Sequence, residues 1–325
     1  MKLSRRRFLH LAAGLTALPA SSQIARAQAY PSRAVRLFEG FGGGSSADLS
    51  ARLIGQWLSE RLGQPFVVEN RTGAGSNIAT EAVVTAPPDG YTLLTCVTAN
   101  AINATLYKKL NFNFIRDIAP VAGLLRLPLV LLVNQSVPAK TLPEFIAYAK
   151  DNPGRMNMAS PGNGSGPHVA GELFKMMTGV NIVHVPYRGA APAFTDLLAG
   201  QVQVMFAAVP AAIGYMRSGE LRALAVASAT RWSKLPNLPA VAEFIPDYEA
   251  SGWIGIGAPR GTSAAIIDKL NSNISAGLAD PQLKARIKSL GADPMPMTPA
   301  EFRSFMADET EKWAKVVKFS GAKAG

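Results

Sequence analysis

Short apolar runs and helically spaced stretches alternate along this chain, joined by loops rich in glycine and serine. Residues 34–38 form the first apolar run, of the kind a buried strand shows. Gly40-Phe41-Gly42-Gly43-Gly44-Ser45-Ser46 follows. Leu49, Leu53, Ile54, Trp57, Leu58 and Leu62 then recur at helical spacing, with Ser46 or Asp48 as cap and Gly63 as stop. Residues 66–69 read as the next strand. Strand-type runs recur at 92–96, 129–133, 156–159, 182–185, 202–206, 223–227 and 253–258, with helical stretches between most of them. Three helices are expected at the end, over 263–277, 281–290 and 299–319. This alternation specifies an α/β fold with largely parallel sheets.

The chain has 325 residues, 48% of them hydrophobic and 17% charged. That length suggests two domains, and that composition supports a sizeable core. The net charge of +11 is partly an address. Lys2, Arg5, Arg6, Arg7 and Arg26 precede the expected cleavage site with no acid among them, which leaves +6 on the mature chain. The remaining cations are scattered, so no nucleic-acid partner is expected. Cys96 is the one cysteine, which excludes an internal disulfide framework and a CxxC site. His10, His168 and His184 are the three histidines, too few for a His-rich metal centre; no metal or cofactor is expected.

Residues 1–27 read as a signal peptide. Ser4-Arg5-Arg6-Arg7-Phe8-Leu9 is of the twin-arginine type and precedes a short apolar stretch. Small residues allow cleavage after Ala27 or Ala29. No cysteine stands there to take a lipid anchor, and no later run is long enough to span a bilayer. The mature chain is expected in a bacterial periplasm.

Three loops bring backbone N–H groups to helix starts: 40–46, 160–166 and 187–191. A helix N-terminus carries about half a positive charge and attracts anions. The loops therefore suit a carboxylate, with tight turns as the plainer alternative. Arg188 is the best candidate for pairing with that carboxylate, or else for a surface or interlobe salt bridge. His168 reads as a hydrogen-bonding residue rather than a base. Gly40-x-Gly42 with Glu69 resembles a dinucleotide-binding unit, but Ser45 replaces the last glycine and no Tyr-x-x-x-Lys pair occurs. There is also no P-loop and no G-x-S-x-G elbow.

Longer motifs carry a family resemblance over essentially the whole mature chain. They include Gly44-Ser45-Ser46-Ala47-Asp48, Val68-Glu69-Asn70-Arg71-Thr72-Gly73-Ala74-Gly75 and Pro88-Asp89-Gly90-Tyr91-Thr92. Gly164-Ser165-Gly166-Pro167-His168 and His184-Val185-Pro186-Tyr187-Arg188-Gly189-Ala190-Ala191 follow in the same order. The chain resembles the periplasmic solute-binding receptors of tripartite tricarboxylate transporters, the Bug or TctC-like family. The resemblance implies a two-lobed periplasmic-binding-protein-like fold of type II with a ligand cleft between the lobes. It implies residues 28–128 and 251–325 in lobe one and 129–250 in lobe two. It implies a small organic carboxylate as ligand, permease subunits as partners, a monomer, and no catalysis.

Carried onto this chain, the lobe-one contacts are Phe41, Gly44, Ser45, Ser46, Asp48, Thr98 and Asn100. Those of lobe two are Ser160, Ser165, His168, Arg188 and Ala207. The chain departs from the family in its first loop. Gly40, Gly43, Ser45 and Ala47 stand where Pro, Pro, Gly and Thr are usual, so this loop is expected to be more flexible, with its hydroxyl groups placed differently from the family's. A receptor feeding a sensor kinase is the alternative role on the same fold, distinguished by whether permease genes lie nearby. An exported Rossmann-type oxidoreductase is the alternative activity.

Overall fold

The computed structural model describes residues 30–324. The expected signal segment and its cleavage points lie outside the described residues. Two mixed sheets organise the chain. Strands β1 (Val35–Glu39), β2 (Phe66–Asn70), β3 (Thr92–Val97) and β4 (Ile118–Leu127) build the first, with helices α1 (Ser46–Leu62), α2 (Asn77–Val84), α3 (Thr98–Leu106) and α4 (Phe114–Asp117) between them. The chain then crosses at Pro128 into β5 (Leu129–Asn134), α5 (Leu142–Asp151), β6 (Asn157–Ser160), α6 (Gly166–Thr178) and β7 (Val183–Pro186). The second sheet is completed through α7 (Ala190–Leu198), β8 (Val204–Ala208), α8 (Val209–Ser218) and β9 (Leu221–Val226). The chain returns to the first sheet with β10 (Gly252–Pro259), α9 (Ala264–Ala279), α10 (Pro281–Ser289), β11 (Asp293–Pro294) and α11 (Pro299–Ser320).

The first sheet runs β11-β4-β10-β3-β1-β2 and the second β7-β6-β8-β5-β9. β1 lies parallel to β2 and β3, and β6 parallel to β7 and β8. β10 is antiparallel to β3 and β4, and β5 is antiparallel to β8 and β9. The expectation of largely parallel sheets is therefore corrected. Helical crossovers make the parallel pairs. The antiparallel strands β4, β5, β9 and β10 flank the passages between sheets, where no crossover helix sets direction. Arg126 and Glu249, one beside each crossing, form an ion pair at 2.8 Å.

Side-chain caps open several helices. Thr141, Ser165 and Thr298 accept the N–H of Glu144, His168 and Glu301. At α1 the cap is Ser45, whose hydroxyl accepts the Asp48 N–H at 3.1 Å, rather than Ser46 or Asp48. Gly63 ends that helix in the left-handed region at φ 71°.

One hydrophobic core extends beneath both sheets and includes Phe206, Tyr248, Trp253, Phe302 and Trp313. Helix α11 packs on α3 from the first lobe and on α6 from the second. Two further cores lie on the other faces, one against each sheet. Cys96 and Trp313 are buried, Trp57 is half-buried, and Leu49 is 41% exposed. Among the described residues no helix is long and apolar enough to cross a membrane.

Candidate functional site

Helix α1 starts beyond the carboxyl end of β1, α6 beyond β6, and α7 beyond β7. The three glycine- and serine-rich loops are therefore the strand-to-helix turns where α/β proteins commonly bind ligands.

The first loop is pinned from below. The Glu39 side chain is completely buried. Its Oε2 accepts the Phe41 N–H at 2.9 Å and the Asn70 amide at 3.1 Å, while Oε1 has no partner among the described residues. Burial raises the Glu39 carboxyl above its ordinary range, against the pull of the Phe41 N–H and Asn70. Asp48 is also buried but richly paired. It accepts the Gly44 N–H at 2.9 Å, the Asn70 amide at 2.8 Å and the Arg52 guanidinium at 2.9 Å. Burial alone would raise this carboxyl; the bonds from Arg52, Gly44 and Asn70 outweigh it and hold it at about 2. Asp48 and Asn70 thus fix the loop from behind. Phe41 is half-buried against the first lobe's core, and Gly44 and Ser46 are exposed. Ser45 occupies the Asp48 N–H as cap, which leaves the Ser46 N–H at the helix start.

Thr98 and Asn100 begin α3 but spend their side chains on the frame. The Thr98 hydroxyl accepts the Trp253 N–H at 2.8 Å, beside a crossing. Asn100 accepts the Val97 N–H at 2.8 Å and donates to Thr80 at 2.9 Å.

In the second loop, Ser165 caps α6 and Ser160 ends β6. The Ser160 hydroxyl lies 2.7 Å from His184 Nε2. His168 Nδ1 accepts the Gly164 N–H at 3.0 Å, which leaves its ring proton on Nε2, 3.8 Å from Glu172. The His168 and His184 rings stack with centroids 3.8 Å apart. Burial, the His184 ring and Lys175 push His168 down to about 3; burial and Lys175 push His184 to about 4. Both imidazoles are neutral at pH 7, which agrees with reading His168 as a hydrogen-bonding group.

This pair makes a pH prediction. Unfolded histidine titrates near 6.5. Between that value and about 4, the unfolded chain binds protons that the folded His168 and His184 refuse, so stability rises with pH and is lost as pH falls through this window. Urea midpoints should drop from pH 7 to pH 4.5, and His184→Gln should flatten the slope. A midpoint constant over that range would show that both rings titrate normally.

At the third loop, Gly189 offers no side-chain cap to α7. Arg188 beside it is exposed and forms no ion pair among the described residues. Ala207 behaves differently from the other candidates: its side chain is buried in the core against the second sheet, so only its backbone faces the strand end. Glu69 pairs with Arg71 at 3.2 Å, and the Arg71 guanidinium covers the Phe38 ring at 3.8 Å. Among the described residues no group of three or more His, Cys, Asp or Glu is placed to hold a metal.

Sequence reasoning passed over Glu39 and His184 as site-forming residues. An acid directly following the apolar pair Leu37-Phe38 and preceding a glycine loop was the available signal for Glu39. Nothing local marked His184, whose partner Ser160 stands on a neighbouring strand.

Comparison with known proteins shows the family and the fold. The chain is 38% identical over 300 residues to Protein BugT of Bordetella pertussis, covering 91% of this chain and 92% of that protein. A solved structure described as R. palustris Rpa4515 with adipate superposes with a TM-score of 0.77 at 37% identity, over 90% of this chain and 99% of that one. MatC from Rhodopseudomonas palustris with bound malate superposes at 0.73 with 32% identity, over 89% and 100%. Residues 50–321 match the family described as Tripartite tricarboxylate transporter family receptor, and the chain belongs to that family.

Proposed function

We propose that this protein is a periplasmic receptor that closes two lobes on a small organic carboxylate and presents it to the permease subunits of a tripartite transporter. The observation that carries this reading is the convergence of family and geometry. Three helix starts follow parallel strands, and the α7 start is uncapped, with Arg188, unpaired among the described residues, beside it. The adipate and malate held by the related structures supply the ligand class. Lobe one comprises 28–128 and 251–325 and lobe two 129–250, a division supported by the change of sheet at Pro128 and Ser251. Residues 1–27 direct export, and the receptor acts as a monomer without catalysis.

The ligand touches Phe41, Gly44, Ser45 and Ser46 from lobe one and Ser165, Arg188 and the Ala207 backbone from lobe two. Asp48, Thr98, Asn100, Ser160 and His168 hold those loops in place. Only the closed form makes both sets of contacts, so binding shifts the open–closed equilibrium. Backbone N–H groups and Arg188 replace the carboxylate's lost water.

Calorimetry of the mature chain against mono-, di- and tricarboxylates tests this. One class should bind, and at 100 times its dissociation constant it should add about 2.7 kcal/mol of stability. Arg188→Ala should weaken that binding by about 1.5–3 kcal/mol, the range for a hydrogen bond to a charged group. Unchanged affinity rejects the role of Arg188. A panel with no binder overturns the carboxylate reading.

A further inference from the structure

A cavity of about 630 Å3 opens where α8 and the connection from β9 to β10 face the end of α10. Val209, Ile213, Met216 and Leu235 give it apolar walls. The Trp232 ring completes the lining; the residue is buried and its indole N–H has no acceptor among the described residues. The charged lining residues are Arg217 and Lys234, both cations, and no acidic side chain lines the space. Lys234 donates to the Lys288 carbonyl and stands 5.7 Å from the centre of the Trp232 ring. Arg217 is exposed and forms no ion pair among the described residues. None of the lining belongs to the three loops of the candidate site.

We propose that this cavity is a second binding site, for a monocarboxylate carried on an aromatic or branched apolar body. The argument is complementarity. The walls gain by removing apolar surface from water. The two cations supply the opposite charge for a carboxylate at one end. The volume lies within the range of roughly 300–1,000 Å3 that encloses small organic ligands. A tricarboxylate fits poorly, because its further charges would meet the apolar walls without partners. The cavity also spans the two halves of the molecule. Val209 to Arg217 lie on α8, between β8 and β9 of the second sheet, and Trp232 to Leu235 come just after β9, whereas Ser289 and Gly291 precede β11 of the first. An occupant therefore touches both lobes, and its affinity is linked reciprocally to their relative placement.

The test titrates the mature chain with 3-phenylpropionate and follows indole fluorescence. Trp232 is one of four tryptophans, so Trp232→Phe assigns the signal while keeping an apolar wall. The expected result is a saturable change in the wild type that disappears in Trp232→Phe. Calorimetry should show binding at least tenfold weaker in Arg217→Gln and unaltered in Arg188→Ala. Arg217 lies on the surface of α8, so its replacement leaves the core intact. Absence of a saturable change overturns the proposal, as does equal affinity in wild type and Arg217→Gln. Loss in Arg188→Ala with Arg217→Gln unaffected also overturns it, by placing the acid in the loops. Arg188 reports on the loops and Arg217 on the cavity, so failure of either reading is distinguishable from failure of the other.

Discussion

Glu309→Ala is expected to cost about 3–5 kcal/mol of folding stability, read as a lower urea midpoint with an unchanged slope. Glu309 is 6% exposed and serves three donors. Its Oε2 accepts the indole N–H of Trp253 and that of Trp313, each at 2.8 Å, and its Oε1 pairs with Lys312. Alanine leaves two buried indole N–H groups without an acceptor and Lys312 without its counter-charge. Each orphaned group retains its desolvation cost, about 1–3 kcal/mol. Lys312 keeps part of its compensation through the Glu249 carbonyl at 2.9 Å, which holds the figure below a full sum.

The location makes this more than a local loss. Trp253 lies in β10, just beyond the second crossing, and Trp313 lies in α11. Helix α11 contacts α3 and α6, one from each lobe. Glu309 therefore ties the crossing to the helix that both lobes share. Glu309→Gln keeps an acceptor for the indoles but loses the charge pairing, so its cost should be about 1 kcal/mol. Equal losses for Ala and Gln would mean that the ion pair, and not the indole acceptor, carries the effect.

Local features of the sequence were readable because their causes are local. The caps Thr141, Ser165 and Thr298 each sit three residues before their N–H partner, and helical spacing located α1 and α11. Strand β4 escaped notice because Pro120 and Gly123, both disfavoured in strands, interrupt its buried run. Strand direction was unreadable for a different reason. Nothing within residues 252–259 specifies that β10 inserts antiparallel between β3 and β4; long-range passage between the lobes does. The site divides in the same way. Loops and Arg188 stood out by composition, and the family motifs placed the rest. That Thr98 and Asn100 spend their side chains on the frame, and that Ala207 points into the core, follows only from tertiary packing.

The unusual first loop yields the other large effect. Gly40→Ala is expected to cost about 2–3 kcal/mol and to weaken carboxylate binding at least tenfold, because overpacking moves the loop that carries Phe41 to Ser46. A Cβ at position 40 would lie 2.2 Å from the Ser76 hydroxyl oxygen, 2.3 Å from its Cβ and 2.5 Å from its Cα. The last is backbone, so no rotamer change relieves it. Ser76 is itself held at φ 78°, in the left-handed region, and is fully buried, so it has little freedom to retreat. This contact also gives the physical reason for glycine where a proline is usual. Proline carries a Cβ too, and here Ser76 occupies its space. Combining Gly40→Ala with Ser76→Gly removes two of the three clashing atoms and should restore part of both losses. The double-mutant cycle should then give a coupling of about 1 kcal/mol or more, since the residues touch. Additive costs, or a Gly40→Ala variant as stable as the parent, would show that the loop does not rest on Ser76. Recovery of stability without recovery of affinity would separate the packing of this loop from its role in holding the ligand.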